Sequence, residues 1–153
     1  MIVYRLSKEP FNHDLSGKSA ELAGGRWNSM GIPILYTSKN RSLCTAEIAV
    51  HTPLGIVPKE YYLITIEINL ETLEEIKLQD LPDNWKSSPS IPKTKEIGDH
   101  FIKKNASLVL KVPSAVVQEE YNYLVNPNHV LFSQVKILEI EPFKFDIRLF
   151  RKN

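Results

Sequence analysis

Three features of this sequence predict an α+β fold: a compact single domain with a mainly β core and a few helices. Period-two alternation runs through Tyr62-Leu-Ile-Thr-Ile-Glu-Ile-Asn69, with Tyr62, Ile64, Ile66 and Ile68 facing one way and Thr65, Glu67 and Asn69 the other. Five further segments are short and rich in β-branched or aromatic residues. Only two stretches carry helical periodicity, and they do not alternate with the strands as a doubly wound parallel sheet requires.

Taken in chain order, Ile34-Leu-Tyr-Thr37 reads as a strand and is followed by a helix from about Arg41 to His51, capped by Ser38 or Asn40. Leu43, Ala46, Ile48 and Val50 give this helix a partial apolar stripe, and Leu43, Glu47 and His51 stack at i, i+4 spacing. After the strand at 62–69 comes a loop from Leu81 to Lys95, marked by Pro82, Pro89 and Pro92, onto which Trp85 is expected to fasten the chain by burying its ring. A second helix spans about Thr94 to Asn105, turning Ile97 and Phe101 inward despite Gly98. Ser107–Val112, Ala115–Val117, Val135–Ile140 and Phe143–Arg148 complete the expected strands. At 153 residues the whole chain, 1–153, reads as one domain, with no repeat and no change of composition to divide it.

Nineteen basic residues against eighteen acidic leave a net charge of +1, which excludes the broad electrostatic footprint of a general nucleic-acid or anionic-membrane binder. A local basic pocket is still open. The single cysteine, Cys44, can form neither an intramolecular disulfide nor a cysteine-based zinc site. His13, His51, His100 and His129 lack HxxxH or HExxH spacing, so no metal site is expected. Without an apolar stretch of secretory or membrane-spanning length, the expected location is the cytoplasm.

The most unusual segment is Gly24-Gly-Arg-Trp-Asn-Ser-Met-Gly31, where glycines bracket Arg26, Trp27 and Asn28 just before a strand. Two readings are open: a glycine-rich loop in which Arg26 presents its fork of donors to a phosphate or carboxylate, or a tight turn with Trp27 in the core and Arg26 in a structural ion pair. The spacing matches neither GxGxxG nor GxxxxGK[ST]. Glu47 sits among Ala46, Ile48, Ala49 and Val50, so its carboxylate is either a structural partner for an arginine or a functional anion. Tyr36, His51, Ser114 and His129 are individually weak, and no Ser-His-Asp spacing stands out. Glu119, Glu120, Asn122, Asn126 and Asn128 form a polar cluster that reads as a hydrogen-bonded loop around the Asn126-Pro turn.

In order along the chain, Tyr4-Arg5, Gly24-Gly-Arg-Trp-Asn-Ser-Met-Gly31, Leu35-Tyr-Thr-Ser38, Ala46-Glu47 with His51, Ile97-Gly-Asp99, Val112-Pro-Ser-Ala115, Glu120-Tyr-Asn-Tyr-Leu-Val-Asn-Pro-Asn-His129 and Phe145-Asp-Ile-Arg148 resemble the RES domain family. The departures are small: Phe101 stands where tryptophan is commoner, and Val130-Leu-Phe132 replaces Pro-Asp-Phe. The resemblance implies a fold similar to ADP-ribosyltransferases and the role of toxin in a bacterial toxin–antitoxin pair. Its partner would be an Xre-like helical antitoxin, met in a toxin–antitoxin hetero-oligomer or beside a homo-oligomer of the toxin. It further implies NAD+ as substrate, with no separate cofactor, cleaved at the nicotinamide–ribose bond by hydrolysis or, with inorganic phosphate as co-substrate, by phosphorolysis. Neither nucleic acid nor membrane is an expected partner of the chain itself. ADP-ribosyl transfer to a protein is one alternative, and a non-catalytic interaction module on the same fold is another.

By motif, the resemblance assigns catalytic roles to Arg26, Tyr36, Glu47 and Ser114, and places Arg5, Trp27, Asn28 and Asn122 with them around the NAD+. Nicotinamide departs as a neutral molecule, so the reaction needs no acid for its leaving group and one carboxylate suffices. Glu47 is expected to stabilise the cationic ribose, Arg26 to hold the diphosphate, Tyr36 to stack on the pyridinium, and Ser114 to donate to the ribose or the carboxamide.

Overall fold

Seven strands form one mixed sheet in the computed structural model, which describes residues 1–152. In chain order the elements are β1 (Ile2–Lys8), α1 (Lys18–Ala23), β2 (Leu35–Ser38), α2 (Arg41–Ala49), β3 (Tyr61–Glu67), β4 (Leu73–Glu75), α3 (Pro92–Lys104), β5 (Val109–Pro113), β6 (Tyr121–Val125) and β7 (Lys136–Phe143). Short 3-10 turns occupy Phe11–His13, Leu78–Asp80, Val130–Gln134 and Ile147–Phe150. The strand order is β4-β5-β6-β2-β1-β3-β7, and every adjacent pair is antiparallel except β4–β5. The α+β class expected from the sequence is what the chain adopts.

The sheet has a seam. β1 pairs with β3 along all seven of its residues, but with β2 only at Tyr4↔Ser38. Alternation along the strands then builds two cores. Val3, Leu35, Ile64, Ile66, Val109, Tyr123 and Val125 belong to one cluster, while Leu110, Val112 and Leu124 join Trp27, Trp85, Phe101 and Ile102 in the other.

Several sequence expectations are corrected. Ala115–Val117 is not a strand but a turn, because the Ser114 Oγ accepts hydrogen bonds from the Val116 and Val117 N–H groups, both at 3.0 Å, and curls the backbone. The separate strand expected at Phe143–Arg148 does not form: β7 runs unbroken through Phe143, and Asp146 caps the 3-10 turn that follows by accepting from the Arg148 N–H. Tyr121–Val125, read as part of a polar loop, is an interior strand whose Asn122 finds side-chain partners on both sides. β1 escaped notice because it turns Arg5 and Ser7 inward beside Val3, which breaks the apolar alternation expected of a strand. The helix after β2 is capped by Asn40, whose Oδ1 accepts from the Leu43 N–H at 2.7 Å, and not by Ser38.

The Leu81–Lys95 stretch is a loop up to the start of α3, and Trp85 fastens it as expected, its ring 6.1 Å from that of Trp27 and tilted by 42°. Gly98 lets α3 lie flush on the segment that carries Trp27, since a Cβ at this position would stand 1.6 Å from the Trp27 carbonyl oxygen, inside bonding contact. Gly98→Ala therefore forces the helix off the loop, at a cost of about 3 kcal/mol. In a chain of this size that lowers the thermal midpoint by roughly 6–12 °C. An unchanged midpoint in a calorimetric melt would contradict this packing.

Candidate active site

Glu47 lies in the second turn of α2, on the side of the helix that buries Leu43 and Cys44. Its half-buried carboxylate reaches two other elements. The Ser114 hydroxyl donates to Oε1 at 2.9 Å, and the Asn122 Nδ2 donates to the same oxygen at 2.8 Å. Oε2 accepts no hydrogen bond among the described residues. One oxygen thus takes both donors and the other takes none.

Each donor is itself held. Ser114 follows β5, in a turn that its own Oγ closes by accepting the Val116 and Val117 N–H groups. Its backbone N–H donates to the Glu120 carbonyl at 2.8 Å. With both lone pairs engaged, its single proton is given to Glu47. Asn122 sits on β6 opposite Ser38 of β2, and the Ser38 hydroxyl donates to the Asn122 Oδ1 at 2.8 Å.

A second group of contacts builds the loop that presents Arg26. Tyr36 of β2 donates its hydroxyl proton to the Asn28 Oδ1 at 2.8 Å and accepts the Trp27 N–H at 3.0 Å. Burial pushes the Tyr36 phenol well above its ordinary value, so it remains protonated and able to donate. Gly25 makes this approach possible, since a Cβ there would meet the Tyr36 hydroxyl at 2.7 Å. Asn28 is 0% exposed, and its Nδ2 donates to the Ala20 and Ile32 carbonyls. Asn28 and the buried Trp27 therefore serve as the frame of the loop.

From the other side, α3 clamps the same loop with three residues at helical spacing. The Lys95 Nζ donates to the carbonyls of Gly25 and Asn28, Gly98 permits the close approach to Trp27, and Asp99 accepts from the Ser29 N–H at 2.8 Å and hydroxyl at 2.6 Å. The Arg26 Nη1 donates outward to the carbonyls of Trp85 at 2.8 Å and Ser87 at 3.0 Å, while Nη2 and Nε make no hydrogen bond among the described residues. Partial burial lowers the Arg26 pKa, opposed by the field of the Glu47 carboxylate. No hydrogen bond or ion pair joins the guanidinium to the Glu47 carboxylate among the described residues.

Arg5 is placed differently. It is 9% exposed, and its Nη2 donates to the hydroxyls of Ser7 at 3.4 Å and Ser19 at 3.2 Å. Its buried Nε has no partner. Burial lowers its pKa, with the field of Asp14 the largest opposing influence. No hydrogen bond connects Arg5 to the Glu47 group. Cys44, whose thiol burial pushes up to about 11, donates to the Tyr4 carbonyl at 3.2 Å and remains a neutral packing residue.

Of the residues singled out in the sequence, the structure joins Glu47, Ser114 and Asn122 by direct hydrogen bonds and Tyr36, Trp27 and Asn28 in the adjoining loop frame. Sequence reasoning overlooked Ser38, Lys95 and Asp99. Asp99 and Ser38 do lie within recognisable sequence blocks, but their partners are remote in the chain. Two recesses of about 350 and 300 Å³ lie elsewhere, one between α3 and the β4–β5 edge and one beside Val57–Glu60 and Phe143–Phe145. Neither is lined by Arg26, Glu47 or Ser114. The chemistry nonetheless favours the Glu47 cluster, because neither recess gathers a comparable set of converging donors around an acid. Among the described residues no group of three or more His, Cys, Asp or Glu side chains could hold a metal ion, and no helix is long and apolar enough to cross a membrane.

A family model described as RES domain matches residues 2–146. A protein of Yersinia enterocolitica named Toxin Res is 36% identical over 152 residues, covering 97% of this chain and 99% of its own length. One of Sphingobium sp. named Prs ADP-ribosylating toxin is 34% identical over 142 residues, covering 91% of this chain and 88% of its own. Among solved structures, the crystal structure of the M. tuberculosis MbcT-MbcA toxin–antitoxin complex contains a chain that superposes with a TM-score of 0.74 at 18% identity, covering 97% of this chain and 86% of that one. That likeness bears on the fold, and the match across residues 2–146 settles the family: this chain belongs to the RES domain family.

Proposed function

We propose that this protein is the toxin of a toxin–antitoxin pair and that it cleaves the nicotinamide–ribose bond of NAD+, with water or inorganic phosphate taking up the ADP-ribosyl group. The observation that carries this reading is the division of labour within one carboxylate: Glu47 is held through Oε1 by Ser114 and Asn122, while Oε2 accepts no hydrogen bond among the described residues. The toxin role is supported by the names of the curated relatives, and an antitoxin partner by the complex in which the structural neighbour was solved. The partner we infer is an Xre-like helical protein, and the setting is the cytoplasm.

Bond cleavage leaves positive charge on the ribose ring, and a negative oxygen placed beforehand beside that ring is worth more to the transition state than to the ground state. Glu47 Oε2 supplies it. Fixing Oε1 with two donors removes the freedom the carboxylate would otherwise lose during reaction. Arg26 contributes its unengaged Nη2 and Nε to the diphosphate, while Nη1 stays on the Trp85 and Ser87 carbonyls and holds the fork in place. Tyr36 frames the Arg26 loop through its hydroxyl and offers its ring to the pyridinium. Ser114 acts through Glu47. Arg5, whose Nη1 makes no hydrogen bond among the described residues, is a further donor for the substrate's phosphates.

Transfer of ADP-ribose to a protein is the second reading, favoured by the name of the Sphingobium relative. It differs only in the nucleophile that reaches the ribose carbon. A purely non-catalytic module is disfavoured by the unengaged Oε2 beside two committed donors, an arrangement that stability alone does not require.

Incubating the purified protein with NAD+, with and without inorganic phosphate, separates these outcomes. Free ADP-ribose means water, ADP-ribose 1-phosphate means phosphate, and labelled protein means transfer. Glu47→Gln keeps the shape and the folded melt but lowers the rate of NAD+ loss by about a hundredfold or more. Retained turnover in this variant would remove Glu47 from the reaction. Arg26→Ala weakens NAD+ binding by roughly ten- to a hundredfold, the worth of a charge-assisted hydrogen bond, measured by calorimetry on Glu47→Gln protein so that substrate is not consumed. Unchanged affinity would leave Arg26 with only its structural task on the 85–87 loop.

A further inference from the structure

We infer that Ser38 is a positioning residue for the reaction, acting through Asn122 to hold the Nδ2 of that amide against Glu47. This rests on the proposed role of Glu47. Asn122 lies between a carboxylate, which only accepts, and a hydroxyl, which donates or accepts. Its Nδ2 faces the Glu47 Oε1 at 2.8 Å, and its Oδ1 faces the Ser38 hydroxyl at 2.8 Å. An amide can turn by 180° about its last bond with little change of shape, exchanging a donor for an acceptor. Turned that way, Asn122 would set a carbonyl oxygen against a carboxylate and lose the hydrogen bond that restrains Oε1.

The Glu47 carboxylate, which only accepts, keeps the Nδ2 end toward itself, and Ser38 then gives its proton to Oδ1 and restrains the amide from its other end. Register fixes that aim. Ser38 is the Cα partner of Asn122 across β2–β6 and of Tyr4 across the single β1–β2 pairing, so the residue is tied to both neighbouring strands and buried between them. A file of polar contacts results: Ser38 to Asn122, Asn122 to Glu47, with Ser114 donating to the same oxygen of Glu47. Ser38 has no hydrogen bond to Glu47, but its hydroxyl also lies beside the Cys44 thiol on α2, so the Asn122→Ala background isolates the part of its effect that passes through the amide.

The test reads both the amide and the reaction. In a 1H–15N spectrum, the side-chain NH2 pair of Asn122, assigned by its disappearance in Asn122→Ala, is expected to be shifted and slow to exchange with water in the unmodified protein. It is expected to move toward the position of free amides in Ser38→Ala. The rate of NAD+ loss at saturation should fall about tenfold in Ser38→Ala with KM within twofold, and Ser38→Thr, which keeps the hydroxyl, should restore it. In an Asn122→Ala background, removing the Ser38 hydroxyl should cost nothing further. If Ser38→Ala does not fold, the comparison is made between Ser38→Thr and Ser38→Val, equal in size and differing in the hydroxyl. An unmoved amide pair, or an equal loss with and without Asn122, overturns the inference. If the unmodified protein consumes no NAD+ at all, the functional reading fails, while the amide spectrum still decides whether Ser38 orients Asn122.

Discussion

A carboxylate taken partly out of water must be compensated by donors, and here both donors to Glu47 come from outside its own helix. This constraint explains much of the architecture around it. β6 has to lie beside β2 so that Asn122 arrives at the right height, and β5 has to end one residue before Ser114 so that the chain can curl and turn its hydroxyl back. The helix that carries Glu47 is short, but its cap at Asn40 and the burial of Leu43 and Cys44 fix its rotation. Because both donors meet one oxygen, the carboxylate is oriented as well as stabilised, which a lone ion pair with Arg26 would not achieve.

The loop of Arg26 is built on another principle. Its glycines are not there to cradle a ligand with backbone N–H groups. Gly25 makes room for the Tyr36 hydroxyl, and the residues between Gly25 and Ser29 are gripped from α3 by Lys95 and Asp99. Of the two readings left open by the sequence, the tight turn holds in part. Trp27 is in the core, as a structural turn requires, while Arg26 forms no ion pair and keeps two of its three nitrogens unengaged. The Ile97-Gly-Asp99 block, which has no chemistry of its own in the sequence, is the clamp: the glycine sets how near the helix comes and the aspartate holds it there.

Much of this was legible in advance where a local rule governs. The alternation of Ile64, Ile66 and Ile68, the two longer helices and the anchoring of Trp85 follow from periodicity and ring burial. What escaped is what depends on distant partners. β1 was hidden because Arg5 and Ser7 point inward, and β6 because Asn122 has the composition of a loop and the environment of a core strand. Ala115-Val-Val117 illustrates the reverse error, β-branched residues drawn into a turn because the hydroxyl of Ser114 offers their N–H groups a nearer acceptor than any strand. For the site, residue types pointed to Arg26 and Glu47, but nothing in linear order shows that Ser38 and Asn122 are opposite one another across two strands.

The contacts that complete the acid span 67 residues to Ser114 and 75 to Asn122. Long closures of this kind form late, after the more local pairings are in place. On the ribosome the chain therefore extends past β6 before Glu47 gains its restraints, and a product cut short ahead of Ser114 carries the carboxylate without either of them. Premature termination yields a fragment without the assembled carboxylate, so the fold completes this group only when synthesis is nearly finished.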